Sequence, residues 1–411
     1  MNPKRTIEEL KELRSLSSDD NGAQRVAFTR TWVETRAWLK SKLAALPVEV
    51  HTDAAGNLWT TLRGQSEDEL LIGGHMDSVP NGGWLDGCLN VLAGVEILRR
   101  INAQYNGKPP VTVRLVDWAD EEGARFGKSL FGSSACSGNL NMEEARELKD
   151  RQNIRLPDAL KEVGVEFERV KESGKELKSA AAYLELHIEQ GPVLLDLDLP
   201  LGAVLGTFGV ERHAITFHGQ AAHSGSTPMN RRKDAFLAAA RMSPEIYQIA
   251  ERSNGGVCTI GSCITKPGIV TSVVAECRIT LDQRHLDAAA LARMLGEAKE
   301  SSERFATEGN VRVSWERLWQ IEPVLFNMDL VNLCAEAITE TCGKTHRLPS
   351  GPLHDAAEVA RAGVPTVMMF VQSLHGISHN KIEDTKEEHI ELCVTAFDKL
   401  GEKAMRYIVD A

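Results

Sequence analysis

Residues 70–77 read LLIGGHMD, a short apolar run that leads into the polar residues His75 and Asp77. Such a run between helical patterns is typical of a parallel strand that is buried on both faces. Three further apolar runs also end at polar residues. They are residues 111–116 before Asp120-Glu121-Glu122, residues 182–186 before His187, and residues 365–371 before a loop with His375 and His379.

The ends of these four runs are expected to lie together. In open α/β sheets, ligands bind outside the carboxyl ends of the strands. The runs therefore predict an α/β domain with a mostly parallel sheet flanked by helices, and one site built from four distant segments. A single histidine at a strand end is more often structural than a ligand, but four ends with shared chemistry favour a site.

Residues 209–323 show a different pattern, which is typical of an α+β domain. Because the run at 365–371 comes after it, we expect residues 209–323 to be an inserted domain, with residues 1–208 and 324–411 forming the catalytic domain. The inserted pattern has strand-like stretches at 214–219, 255–264, 273–281 and 311–318, and helical stretches at 233–252 and 286–308.

Composition excludes several classes of protein. The 411 residues carry 47 basic and 58 acidic side chains, a net charge of −11, which disfavours nucleic-acid binding without a basic patch. The densest basic cluster, residues 231–233, is followed at once by Asp234. No apolar run approaches the roughly 18 residues of a membrane span. The eight cysteines include no Cys-x-x-Cys pair, which predicts reduced thiols in a cytoplasmic protein and argues against a thiolate zinc site.

The polar residues at the strand ends are suited to binding metal. His75 offers an imidazole, Asp86 offers a carboxylate from a glycine-rich loop, and Asp77 is placed to orient His75 by accepting its other N–H. Three adjacent carboxylates at 120–122 repel one another unless cations neutralise them or they point into solvent. A solvated acidic turn would be the better interpretation if this trio stood alone.

With His75, Asp86, His187 and His379 available, two divalent cations account for the pattern. Nitrogen and oxygen ligands suit Mn²⁺, Zn²⁺, Co²⁺ or Ni²⁺. Such a pair lowers the pKa of a bridging water and polarises the carbonyl under attack. A carboxylate beside the metals then serves as general base.

Five motifs, in this order and spacing, resemble the dinuclear metallopeptidase and aminoacylase superfamily. The similarity covers essentially the whole chain and is greatest to the branch of N-carbamoyl-L-amino-acid hydrolases, allantoate amidohydrolases and β-ureidopropionases. Residues 187–191 (HIEQG) and 222–228 (AHSGSTP) favour this branch over the peptidases. The five motifs are His75-x-Asp77, 83–87 (GWLDG), 120–123 (DEEG), 185–191 (ELHIEQG) and 378–380 (SHN).

The resemblance implies a role for each metal-site residue. His75 and His187 would bind one ion, Glu122 and His379 the other, and Asp86 would bridge them. Glu121 would be the general base. His375 is close enough in sequence to compete with His379, but the Ser-His-Asn context matches the family at His379.

The resemblance also implies substrate contacts. Gln190 would line the pocket, His223 would stabilise the oxyanion, and Arg284 would hold the substrate carboxylate. Gly351 and His354 are expected to border the pocket. The inserted domain would act as a lid and form a homodimer, so that His223 and Arg284 would serve the neighbouring subunit's site.

The chain departs from the family pattern without losing a metal ligand or the base. Thr271 stands where relatives carry an asparagine that helps to bind substrate. Asn90 stands where glycine is common, Trp84 is large for the metal loop, and Pro352 replaces a usual alanine. We expect these changes to affect which substrate fits.

The leading hypothesis is hydrolysis of the carbamoyl C–N bond of an N-carbamoyl-L-amino acid, which yields the L-amino acid, carbon dioxide and ammonia. The alternative within the class is allantoate or ureidoglycolate hydrolysis; β-ureidopropionase or aminoacylase activity fits the motifs less well. A non-catalytic metal-binding or ligand-binding protein is the rival from another class, and the presence of Glu121 beside a full ligand set argues against it.

Overall fold

The structure is a computed structural model that describes residues 1–410. The chain forms two compact units. The larger unit consists of Met1–Gly206 and the chain from Phe326 onward, and the smaller unit consists of Thr207–Leu325.

Helices occur in both units. No helix within residues 1–410 has the length and apolar character needed to cross a membrane. The α-helices are α1 (Pro3–Ser17), α2 (Arg30–Leu43), α3 (Cys88–Gln104), α4 (Phe131–Ser137), α5 (Met142–Glu147), α6 (Leu156–Glu162), α7 (Val193–Asp196), α8 (Ala235–Arg252), α9 (Ala288–Glu308), α10 (Met328–Cys342), α11 (Asp355–Arg361) and α12 (Glu387–Val409).

The strands range from two to ten residues. They are β1 (Ser18–Asp19), β2 (Gly22–Ala23), β3 (Glu49–Thr52), β4 (Leu58–Leu62), β5 (Ser66–His75), β6 (Val111–Trp118), β7 (Ala180–Ile188), β8 (Leu201–Thr207), β9 (Gly209–His218), β10 (Ala222–His223), β11 (Val257–Lys266), β12 (Ser272–Val273), β13 (Glu276–His285), β14 (Arg312–Ile321), β15 (Val324–Leu325), β16 (Arg347–Ser350) and β17 (Thr366–Val371).

The main sheet has nine strands in the order β15-β8-β17-β7-β5-β6-β4-β3, with β16 paired to β8. The central strands β17, β7, β5 and β6 run parallel, and the strands at both margins run antiparallel. Every residue of β6 and β17 is buried, as expected for parallel strands with both faces covered. Helices α3, α10, α11 and α12 contact these strands. The prediction of a mostly parallel sheet flanked by helices is confirmed.

The parallel strands bring the polar residues of the predicted site to one edge. β5 ends at His75, which is paired with Trp118 at the end of β6. In β7, His187 is paired with Phe370 of β17. The carboxyl ends of parallel strands share an edge of the sheet, so residues that follow them meet there.

The smaller unit contains an antiparallel sheet in the order β11-β13-β9-β14 and a second pair, β10 with β12. Helices α8 and α9 pack on this sheet. Alternate residues of β13 are buried, which is the pattern of a sheet with one face on a core. Its buried core includes Ile215, Phe217, Met242, Ile246, Ile279, Leu281 and Met294.

One predicted strand of the smaller unit is divided in the structure. The pattern at 273–281 predicts a single strand, but Val273 belongs to β12 and β13 begins at Glu276. The break arises because Ser272 and Val273 pair with β10. The intervening Ala275 instead exchanges backbone hydrogen bonds with Gly219 and Lys266.

Candidate metal centre

Three side chains from separate segments of the larger unit form the first candidate ligand group. His75 ends β5, His187 lies near the end of β7, and Asp86 lies in the loop before α3. The Oδ1 atom of Asp86 is 3.5 Å from Nε2 of His75 and 3.1 Å from Nε2 of His187. All three residues are buried, and their ligand atoms lie within 4.8 Å of one another.

The second candidate group uses the other oxygen of Asp86. Its Oδ2 atom is 3.5 Å from Nε2 of His379, which is itself 3.3 Å from Oε2 of Glu122. The structure thus brings His379, and not His375, to this group. The Asp86 carboxylate therefore presents one oxygen to each of the two ligand groups.

The spacing of these atoms suits divalent ions. Ligand atoms lie about 2.0–2.2 Å from Zn²⁺, so two ligands at a tetrahedral angle are about 3.4 Å apart. The four distances within the two groups range from 3.1 to 3.5 Å. The two groups therefore fit a dinuclear divalent metal site.

The histidine tautomers also suit metal binding. Nδ1 of His75 donates to the carbonyl oxygen of Asp77 at 3.1 Å, and Nδ1 of His187 donates to that of Ile188 at 2.9 Å. Because each Nδ1 is occupied as a donor, Nε2 is the ring nitrogen that faces Asp86 and that would bind a metal once deprotonated. Nε2 of His75 is buried and has no hydrogen-bond partner within residues 1–410, so this nitrogen is suited to bind a metal.

Asp77 contacts His75 differently from the sequence-based expectation. The main-chain carbonyl of Asp77, not its carboxylate, takes the short hydrogen bond; Oδ1 is 3.6 Å from Nδ1 of His75. The Asp77 carboxylate accepts the backbone N–H groups of Glu121 and Glu122 at 3.3 and 3.2 Å. Asp77 therefore fixes the acidic turn against the end of β5.

The acidic turn is not a solvated surface feature. Asp120 is 1% exposed and Glu121 is 8% exposed. Burial raises the pKa of Glu121 well above its usual value, and Asp355 and Glu122 add to the rise against the opposing effect of His75. Burial and the Asp86 carboxylate likewise raise the pKa of Glu122. Divalent cations would offset this concentration of negative charge.

The pKa of Asp86 is shifted in the opposite direction. Burial opposes its ionisation, but the adjacent His187 and His75 hold the pKa of Asp86 well below its usual range. The carboxylate that lies between the two groups is therefore the one most readily kept ionised. An ionised carboxylate is what a bridging ligand must be.

Other residues expected to contact substrate lie at varied positions in the larger unit. Nε2 of Gln190 donates to Oδ2 of Asp86 at 2.9 Å and lies 3.3 Å from Nε2 of His379, so Gln190 borders the second ligand group. His354 is buried, packs on the His187 ring at 4.4 Å, and bonds Ser350 at 2.9 Å. Gly351 lies in the turn after β16.

The smaller unit holds the remaining predicted contacts. His223 on β10 is exposed, and its Nδ1 accepts the backbone N–H of Gly225. Thr271 lies beside it, since its carbonyl accepts the N–H of Ser224 at 2.9 Å. Arg284 lies near the carboxyl end of β13, the end away from β12, and its Nε is 2.8 Å from Oδ1 of Asp282.

Two residues near Asp86 were not predicted as functional. The Ser378 hydroxyl lies 2.9 Å from Oδ2 of Asp86, and the Glu383 carboxylate accepts the backbone N–H of Asp86 at 3.1 Å. Both lie in the polar loop between β17 and α12, which has no periodic pattern. The adjacency of Ser378 to His379 was the available signal, whereas Glu383 had none.

Comparison with known proteins places the chain among amidohydrolases. The chain is 36% identical over 371 residues to an N-carbamoyl-L-amino acid amidohydrolase of Geobacillus stearothermophilus, covering 89% of this chain and 90% of that protein. It is 33% identical over 391 residues to an allantoate amidohydrolase of Escherichia coli K12, covering 93% of each. These relatives confirm the resemblance noted from the motifs.

A solved structure and a family model agree with these relatives. The amidase of the hydantoinase/carbamoylase family from Burkholderia multivorans has a TM-score of 0.88 and 30% identity, with 97% of each chain covered. Residues 71–403 match the model of peptidase family M20/M25/M40. The chain therefore belongs to peptidase family M20/M25/M40.

Proposed function

We propose that this protein is a dinuclear metal-dependent amidohydrolase that cleaves the carbamoyl C–N bond of N-carbamoyl-L-amino acids. The products are the L-amino acid, carbon dioxide and ammonia. The observation that carries the proposal is the Asp86 carboxylate with one oxygen in each of two ligand groups, and with Glu121 beside them. The Geobacillus relative, named for this substrate class, supports the choice of substrate.

His75, Asp86 and His187 would hold one divalent ion, and Asp86, Glu122 and His379 the other. Bound there, the ions would lower the pKa of a shared water and polarise the substrate carbonyl. The ligands are imidazole nitrogens and carboxylate oxygens, which suit Mn²⁺, Zn²⁺, Co²⁺ or Ni²⁺.

Glu121 would be the general base. It is outside both ligand groups, yet its Oε2 lies 3.7 Å from Nε2 of His75. Because its burial raises its pKa, the carboxylate is a stronger base than an exposed glutamate. Glu121 would take the proton from the attacking water and pass it to the leaving nitrogen.

The remaining groups would bind and orient the substrate. Gln190 would contact the ureido group, because its amide already lies at the second ligand group. His223 would donate a hydrogen bond to the oxyanion. The planar guanidinium of Arg284 would hold the α-carboxylate in a bidentate manner. Thr271, Gly351 and His354 would line the pocket.

We further infer a homodimer in which the two copies share their sites. His223 on β10 lies near the first residue of β13, Glu276, because β10 pairs with β12 and β12 directly precedes β13. Arg284 lies eight residues further along β13. At about 3.3 Å per residue this is about 26 Å, more than one amino-acid-sized substrate spans. His223 and Arg284 of one copy would therefore serve different substrate molecules, so that one of them would act in its own copy and the other in the partner's, rather than both in the partner's as the resemblance implies.

Allantoate or ureidoglycolate is the second candidate substrate. The Escherichia coli relative named allantoate amidohydrolase supports it, since the similarity covers 93% of this chain. Thr271, in place of the family's asparagine, bears on this choice because it lies beside His223. The metal ligands and Glu121 would act alike on either substrate.

Ammonia release from a panel of ureido compounds distinguishes these substrates. The panel contains N-carbamoyl-L-methionine, its D-enantiomer, N-carbamoyl-β-alanine, allantoate and ureidoglycolate, each with protein reconstituted with Mn²⁺, Co²⁺, Ni²⁺ or Zn²⁺. We expect turnover of the L-carbamoyl compound alone. Turnover of allantoate instead would identify the second candidate substrate as the correct one. Inactivity on every compound with every metal would contradict the proposed function.

A further inference from the structure

Glu383 is a buried carboxylate in the loop between β17 and α12, and the residue is 2% exposed. Its Oε1 atom accepts the backbone N–H groups of Leu85 and Asp86, both at 3.1 Å. Its Oε2 atom accepts the hydroxyl of Ser378 at 2.8 Å. The three donors are neutral, so the carboxylate is retained in the interior by hydrogen bonds.

These hydrogen bonds join two segments that are about 300 residues apart in the chain, one carrying Asp86 and the other Ser378 and His379. The Ser378 oxygen also lies 2.9 Å from Oδ2 of Asp86, so the hydroxyl lies between the two carboxylates and its single proton can be donated to either of them. Glu383 thus contacts Asp86 twice, at its main chain and through Ser378.

The loop that carries Asp86 is packed directly against Glu383. A Cβ atom at Gly83 would lie 2.1 Å from the Glu383 carboxylate, far inside contact distance. Glycine at this position therefore lets the backbone approach the carboxylate. The fit indicates that the loop and Glu383 form one packed structure.

Both segments need such support if they are to bind metal. His379 is 51% exposed, and its backbone has a left-handed φ of 54°. An exposed side chain on an irregular loop has little rigidity of its own. Asp86 must also present one oxygen to each ligand group, which fixes the direction of its carboxylate. Contacts beyond the ligands commonly set this direction.

We propose that Glu383 is a positioning residue that holds the Asp86 loop and the Ser378–His379 loop together, so that both ligand groups are formed at once. This rests on the proposed dinuclear site. Glu383 touches neither the substrate nor the reacting atoms in this account. Loss of Glu383 would weaken the binding of the ions, and turnover would fall only because fewer ions are bound.

The test measures Co²⁺ binding by the full-length protein after chelation, using calorimetry and the visible absorption of bound Co²⁺. Loss of a contact to a metal ligand typically weakens metal binding about 10–100-fold. We expect that loss in Glu383→Ala and a smaller one in Glu383→Gln, whose amide oxygen still accepts from Leu85 and Asp86. A folded Glu383→Ala protein with unchanged Co²⁺ affinity and spectrum would overturn the proposal.

Asp53→Asn is a matched control. Asp53 is another buried carboxylate that accepts backbone N–H groups, from Ala55 at 2.8 Å and Asn57 at 3.0 Å, and it belongs to neither ligand group. We expect this variant to melt at a lower temperature with unchanged Co²⁺ binding. If it weakens Co²⁺ binding as much as Glu383→Ala does, the effect is general destabilisation and the proposal fails.

Ser378→Ala provides the test if Glu383→Ala does not fold. This variant removes the hydroxyl that lies between Glu383 and Oδ2 of Asp86 but leaves the main-chain contacts of Glu383. We expect weaker binding of one of the two Co²⁺ ions, and unchanged binding of both would overturn the proposal.

The outcomes separate this proposal from the proposed function. A wild-type protein that binds two Co²⁺ ions but hydrolyses no ureido compound contradicts the function and leaves the Glu383 comparison intact. An active wild-type protein with normal Co²⁺ binding in folded Glu383→Ala contradicts the positioning role alone. A wild-type protein that binds no Co²⁺ contradicts both.

Discussion

Among single residues, Asp86 and Glu121 are two buried carboxylates that would take different roles in the proposed chemistry. Neighbouring histidines hold the pKa of Asp86 well below its usual range despite its burial, whereas burial raises the pKa of Glu121. Carboxylates whose environments move their pKa values apart commonly take different roles. In the proposed mechanism, Asp86 would be kept ionised as a ligand and Glu121 would be the base that takes a proton.

Glu121→Gln tests this division. The amide keeps the size of the side chain but cannot accept the proton, so we expect kcat to fall by about 10²–10⁴-fold. Metal content should stay at the wild-type level, because Glu121 belongs to neither ligand group. Steady-state kinetics with elemental analysis measure both, and Glu143→Gln on the exposed part of α5 is the control. Near-normal turnover would refute the role of Glu121.

At the scale of elements, the sequence predicts the site wherever a buried parallel strand ends in a polar residue. The apolar runs gave β5, β6, β7 and β17, and sheet geometry then brings their ends together. The hydrogen bond from His75 to the Asp77 carbonyl was not predictable, because it depends on how the loop turns after β5. Glu383 was not predictable because no periodicity relates it to a loop almost 300 residues earlier.

The start of α3 gives a prediction at this scale. Gly87, the residue before α3, has φ 67°, and a Cβ there would lie 2.4 Å from both Nδ1 and the carbonyl oxygen of His75. We expect Gly87→Ala to displace His75 and to weaken metal binding, measured by titration of the chelated protein.

Gly343→Ala at the end of α10 is the matched control. Gly343 has φ 77°, and its Cβ would meet nothing within 4 Å. Both variants place alanine at a positive φ, which L-residues disfavour, but only Gly87→Ala adds the clash with His75. Equal metal affinity in the two variants would show that the start of α3 does not fix His75.

In the proposed homodimer, two copies of the chain would complete each site. Mixing two inactive variants tests this directly. If Glu121 of one copy works with His223 of the other, Glu121→Gln and His223→Ala will complement each other after refolding together. Half of the dimers are then mixed, and one site of two is intact in each, so about a quarter of wild-type activity should return.

The same mixture with Arg284→Ala in place of His223→Ala shows which of the two groups crosses between copies. We expect recovery in at least one of the two mixtures. If neither mixture regains activity, while each variant alone is folded and dimeric by light scattering, the shared site is wrong.

The pH dependence of stability is a second property of the whole molecule. Burial raises the pKa values of Glu121 and Glu122 in the fold. Such groups stabilise the fold below their unfolded pKa, and this contribution is lost as the pH rises through the folded value. Bound cations would offset that loss, since they favour the ionised carboxylates.

The melting temperature of metal-loaded protein should therefore exceed that of chelated protein by more at pH 8 than at pH 5. Scanning calorimetry of both forms across this range measures the difference. A gap that stays constant or narrows with rising pH would show that the buried carboxylates are not where the ions bind.

The first measurement to make is ammonia release from N-carbamoyl-L-methionine as Mn²⁺ or Co²⁺ is added back to chelated protein, because it asks whether the chain is a hydrolase that needs the two ligand groups around Asp86. We expect no turnover without ions, activity that saturates at two ions per chain, and loss of both activity and the second ion in Asp86→Ala. Full turnover in metal-free protein, or normal metal content in Asp86→Ala, would contradict this expectation.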